Sequence, residues 1–170
     1  MLKWLGAALL TGAVLLSGRY FSQSVILRRR QLEAIAAMVG RMEEEIRYNG
    51  ADVCSLVERL QRDSLAGALP FLERCAARCR SGEPFPNAWR SALEDVERQM
   101  HLTCEEKAQL LSFGERLGAT DLEGQMAHCG MYRREFERLL SEARGQEQVK
   151  TRLYRSLSML AGVAVIILSV

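Results

Sequence analysis

With 170 residues, 23 lysines and arginines against 21 aspartates and glutamates, and a formal net charge of +2, the chain has room for one ordinary domain and lacks the basic excess of a nucleic-acid-binding surface. Only three prolines interrupt a body dominated by Leu, Ala, Glu, Arg and Gln, which points to an all-α fold. Five cysteines, odd in number and without the dense spacing of a disulfide scaffold, fit a reducing compartment.

The chain opens on an apolar stretch, Leu2 to Ser17, interrupted only by Lys3 and slightly shorter than the ~20 residues that span a bilayer; Tyr20 and Phe21 can extend it at the interface. Two readings stand. A cleaved secretory signal, removed after Ser17 or Gly18, has the right shape and would release a secreted helical protein. A retained membrane helix fits the continuing helical pattern through Val25, Ile26, Leu27, Ile35, Val39, Met42 and Ile46, which Asn49-Gly50 then ends.

A second helix over about 52–62 is capped by Asp52 and buries Val53, Leu56, Val57 and Leu60. A third, over about 65–80, buries Leu65, Leu69, Leu72, Ala76 and Cys79; Pro70 must sit in its first turns or kink it, and Ser81-Gly82 closes it. Glu83 to Pro86 is a stiff, extended entry, after which Asn87 caps a fourth helix running to about Met100 with Trp89, Leu93, Val96 and Met100 inward. Thr103 and Glu106 form a capping box for a fifth helix that runs to Leu117, where Gly118 stops it, with Leu110, Phe113 and Leu117 inward. Asp121 caps the last helix, in which Leu122, Met126, Cys129, Phe136, Leu140 and Ala143 recur at three- and four-residue steps. No strong breaker follows before the uncharged run Leu157 to Val170, so one nearly continuous helix into the membrane is expected.

The predicted architecture is an antiparallel bundle of about six helices whose first and last members extend into lipid. Residues 1–27 form an N-terminal transmembrane helix and juxtamembrane segment, 28–152 a helical domain, and 153–170 a C-terminal transmembrane helix. Arg19, Arg28, Arg29 and Arg30 follow the first segment and Lys150, Arg152 and Arg155 precede the second, so the positive-inside rule places the domain in the cytoplasm and both termini outside.

Chemistry-bearing residues are sparse. Cys75 and Cys79, one helical turn apart, could supply half of a metal site, but no matching pair completes four ligands, and buried cysteine is the favoured reading. His101 with Cys104, and His128 beside Cys129, are the other soft pairs; the second points to different faces. Glu43, Glu44 and Glu45 read as a solvated face, and no phosphate loop, nucleophile elbow or zinc-protease motif occurs. Neither catalytic residues, nor a cofactor, nor a metal is assigned. Arg133, Arg134, Arg138 and Arg144, mixed with Glu135, Glu137 and Glu142, could instead present docking charges to a partner.

Three patches set the chain beside a known family: Gly82-x-Pro84-Phe85-x-x-Ala88-Trp89; Phe113-Gly114-x-x-Leu117-Gly118-x-x-Asp121 with Gln125; and Tyr154-Arg155-Ser156-Leu157. In this order they resemble the stage III sporulation protein AB family of endospore-forming bacteria, two-anchor proteins related in their helical domain to the inner-membrane platform protein of type II secretion systems. The likeness covers nearly the whole chain and departs in the stretch Gln125 to Met131 and at Arg19 and Tyr20. It implies a non-enzymatic component of the channel between mother cell and forespore, in the mother-cell membrane facing the forespore. The implied partners are a cytoplasmic secretion-type ATPase, other membrane components of the channel and the bilayer; self-association is open. A generic membrane-anchored helical adaptor and a membrane-bound Cys/His redox protein are the alternatives.

Overall fold

The computed structural model describes the backbone of residues 2–49, 52–62 and 64–169 and the side chains of 23–48, 52–62, 65 and 67–149. Every α-helix and every 3-10 turn is read from these, and no strand occurs among them. The helices are α1 (Leu2–Asn49), α2 (Val53–Leu60), α3 (Phe71–Arg80), α4 (Phe85–Asp95), α5 (Cys104–Arg116) and α6 (Leu122–Ser169).

Two of these, α1 and α6, are 48 residues each, about 70 Å at the helical rise of about 1.5 Å per residue. Ion pairs fix their relative direction. Arg29 meets Glu147, Glu33 meets Arg144 and Glu43 meets Arg133, so partners on α6 fall in number as those on α1 rise and the pair is antiparallel. Along this pair the inner faces are apolar: Leu32, Ile35, Met38, Val39, Met42 and Ile46 on α1, and Cys129, Tyr132, Phe136, Leu139, Leu140 and Ala143 on α6, are buried. The spacing is that of a single helical stripe on each helix.

The shorter helices fold into a body that covers the far part of this pair. Asp52 caps α2 by accepting from the Ser55 amide at 3.3 Å. At the end of α3 the Glu83 amide donates to Arg78 O at 3.2 Å and the Gly82 amide to Cys79 O at 2.9 Å, with Gly82 at φ +87°. That is the Schellman arrangement, and the left-handed backbone is why glycine stands there.

Three element boundaries differ from the sequence expectation, two of them at prolines. The third helix does not begin at Leu65: Ser64–Gly67 is a 3-10 turn, and Pro70 is the N-cap of a helix starting at Phe71. A proline cannot donate the amide a preceding turn would need and disfavours helical backbone in the residue before it, so the helix cannot extend backwards through it. The fourth helix begins before Asn87: Pro84 is the N-cap at ψ 136° and Pro86 lies in the first turn, where a missing amide proton leaves nothing unsatisfied. It also ends early, at Asp95, and a 3-10 turn, Glu97–Gln99, carries the chain on. Leu122, expected inward, is half exposed, and Leu65, Cys79, Leu93 and Met126 are only partly buried.

The membrane assignments of 1–27 and 153–170 fall mostly on side chains outside the described residues, as do Lys150, Arg152, Arg155 and the motif Tyr154 to Leu157. Among the described residues no helix is long and apolar enough to cross a membrane.

Candidate docking surface

The residues of the family-like pattern serve the fold. Trp89 is fully buried at its centre, with ring centroids 5.0 Å from Phe71, 5.5 Å from Phe85 and 6.0 Å from Phe113. Its indole Nε1 donates to Leu110 O on α5 at 3.0 Å, which satisfies the one polar atom such a burial would strand. Gly114 makes the approach achievable, since a Cβ there would lie 2.3 Å from the Trp89 ring. Gly118, at φ +83°, turns the chain out of α5, and Asp121 caps α6 by accepting from the Gly124 amide at 3.0 Å. Gln125 closes the same loop by donating to Thr120 O at 2.9 Å.

The candidate docking arginines stand on α6 in different states. Arg133 lies against α1, its Nε 3.1 Å from Glu43 and its Nη1 3.9 Å from Glu137. Arg138 is exposed and paired along its own helix with Glu135 at 2.7 Å and with Glu142; those carboxylates push its guanidinium pKa further up, and Arg138 in turn holds Glu135 below the usual carboxylate range. Arg134 is exposed, and no ion pair is found for it among the described residues. Arg144 crosses to Glu33 at 2.7 Å.

Groups with potential chemistry are dispersed or muted. Cys75 and Cys79 stand on α3 and Cys54 on α2, but burial pushes the Cys75 and Cys129 thiols up to about 12 and Cys79 upward too, which disfavours the thiolate needed for nucleophilic or redox work. Among the described residues no three His, Cys, Asp or Glu side chains converge on a metal position. His128 stacks on Phe113 with centroids 5.4 Å apart and places Nε2 2.9 Å from Phe113 O. Glu43 pairs with Arg47 and Arg133, and Glu45 with Arg59, so the acidic run is an ion-paired face.

Two features have no counterpart in the sequence expectation. Glu106, expected only as the capping-box residue, is fully buried and ties α5 to α1. Its carboxylate accepts from the Thr103 amide at 2.7 Å, completing the box, and from Arg28 of α1 through Nη2 at 2.7 Å and Nε at 3.1 Å, while Arg28 Nη1 donates to Gln146 of α6 at 2.8 Å. Burial alone would raise the Glu106 pKa; the Arg28 hydrogen bonds and the Thr103 amide outweigh it and hold the carboxyl below its ordinary value. Arg28 and Arg29, expected as a basic collar, are thus drawn into contacts with α5 and α6. The second feature is a groove of about 240 Å³ between α4 and α5, with Leu93, Met100, Leu110 and Leu111 along it and Arg90 and Lys107 at its edges. The periodicity of neither helix discloses it, because residues of both α4 and α5 and of their connection line it.

Against known proteins, residues 3–170 match the family described as Stage III sporulation protein AB. The Stage III sporulation protein AB of Bacillus subtilis (strain 168) is 24% identical over 169 residues, covering 99% of each chain. A solved structure of a Stage III sporulation protein AB superposes with a TM-score of 0.66 at 21% identity, covering 72% of this chain and 98% of that one, and thereby supports the helical fold. With nearly its whole length matched, the chain belongs to the stage III sporulation protein AB family.

Proposed function

We propose that the protein is a non-catalytic, membrane-anchored platform of the mother cell–forespore channel, on whose cytoplasmic domain a secretion-type ATPase docks. The observation that carries this reading is the antiparallel α1/α6 pair: Arg28 and Arg29 stand level with Gln146 and Glu147, so both long helices leave the body at the same end. Each continues toward an apolar chain terminus, the arrangement that two anchors and a domain on one side of a bilayer require. Membership in a sporulation family supports the biological setting.

The docking surface in this reading is the stretch of α6 bearing Arg133, Arg134 and Arg138. Arg134 offers the least encumbered charge, and the pairs of Arg138 are exposed and exchangeable at small cost. Partner channel proteins and lipid complete the assembly. The test is a pull-down of the purified ATPase on the full chain in detergent, with and without Arg133→Glu and Arg134→Glu. Retention by the parent and loss by the charge-reversed chain is expected; an ATPase that neither retains removes the docking role.

A further inference from the structure

We infer that Arg28 and Gln31 form a two-point clamp through which the position of α1 sets the shape of the α4–α5 groove. The two side chains stand three residues apart on one face of α1; Gln31 reaches the connection between α4 and α5, and Arg28 the first turn of α5. Gln31, 6% exposed, donates through Nε2 to Gln99 O at 3.1 Å and accepts from the His101 amide through Oε1 at 2.7 Å. Arg28 grips Glu106, which itself caps α5. The clamped segment is also a wall of the groove: Glu97, Met100 and Lys107 line it, interleaved with Gln99, His101 and Glu106.

Geometry makes this a coupling device. A slide of α1 by one helical turn, about 5.4 Å, parts Arg28 from Glu106 and strands a buried carboxylate, so the connection must follow α1 or unfasten. Either response moves Met100 and Lys107 relative to Leu93 and reshapes the groove. Since coupling between two places is reciprocal, filling the groove must in turn load the clamp. This inference needs no particular docking partner, and its failure would leave the platform reading intact.

Amide hydrogen exchange on the full chain in detergent tests it. In Gln31→Met and Arg28→Lys, amides of His101 and of Lys107 to Leu111 are expected to exchange about tenfold faster, with α3 amides unchanged as an internal control. Exchange at Lys107 to Leu111 within about twofold of the parent, or an equal rise throughout α3, overturns the proposal. Ala108→Phe, which fills the groove from an exposed position and leaves the core alone, is the second arm. It is expected to alter exchange at His101; an unaltered His101 amide in a folded Ala108→Phe chain contradicts the coupling.

Discussion

The α2 to α5 body and the stretch of the α1/α6 pair around Arg28 and Gln146 are held by different physics. The body closes on aromatic rings: Phe71, Phe85, Trp89 and Phe113 interlock with hardly a free atom's width, as the Gly114 contact illustrates. At the other place, around Arg28, Arg29, Gln146 and Glu147, the helices are joined by charged and amide side chains. Close packing tolerates little displacement, whereas exposed ion pairs exchange partners readily. The difference teaches that the body is fixed by interlocking shape, whereas this stretch of the helix pair adds directional polar contacts to an apolar stripe, with Glu106 the place where the two meet.

The largest effects are expected where the body is tightest. Trp89→Ala should cost about 3–5 kcal/mol and Gly114→Ala about 3 kcal/mol, the first by opening a cavity and the second by driving a methyl into the indole; thermal unfolding followed by circular dichroism reads both. A Gly114→Ala chain as stable as the parent would mean that α4 and α5 can separate, and the contrast between regions would dissolve.

Next comes the junction. Breaking the Arg28–Glu106 pair with Glu106→Gln should cost about 3 kcal/mol at neutral pH. Glu106 is held below its unfolded pKa, so its contribution is complete above the unfolded value of about 4.3 and lost as pH falls through the lower folded value. The stability gap between parent and Glu106→Gln should therefore be full at pH 7 and shrink below about pH 4; a gap independent of pH would assign it to shape instead of charge.

Smaller still is Gly118→Ala, expected at about 1–2 kcal/mol because φ is +83° there and the new methyl would stand 3.2 Å from Val53 Cγ2. At the bottom of the scale, Arg138→Ala should leave the melting temperature unchanged, since both its partners lie on its own exposed helix surface. A measurable loss there would show that surface pairs within α6 contribute more than their exposure implies.

Much of the fold was legible because its signals are local. The Asp52, Thr103 and Asp121 caps and the Gly82 and Gly118 stops each depend on residues a few positions apart, and each is found where the sequence places it. Prolines were misread where two roles compete: Pro70 and Pro84 start helices, and the sequence placed Pro70 inside one and Pro84 well before the next. For the candidate site, the arginines of α6 were visible as a charged face, but their partners were not. Glu43, 90 positions from Arg133 in the chain, is brought to it only by antiparallel pairing. Glu106 reads as a local cap because nothing in its neighbourhood announces Arg28, and the α4–α5 groove is lined from two helices and their connection, which no single periodicity specifies.

The most direct measurement is protease access to the domain from outside in sporulating cells stripped of their wall. A platform anchored at both ends leaves residues 28–149 intact until the membrane is breached, with the N-terminal segment still attached. A domain digested by protease added outside intact membranes, or a mature chain lacking its first helix, would contradict it.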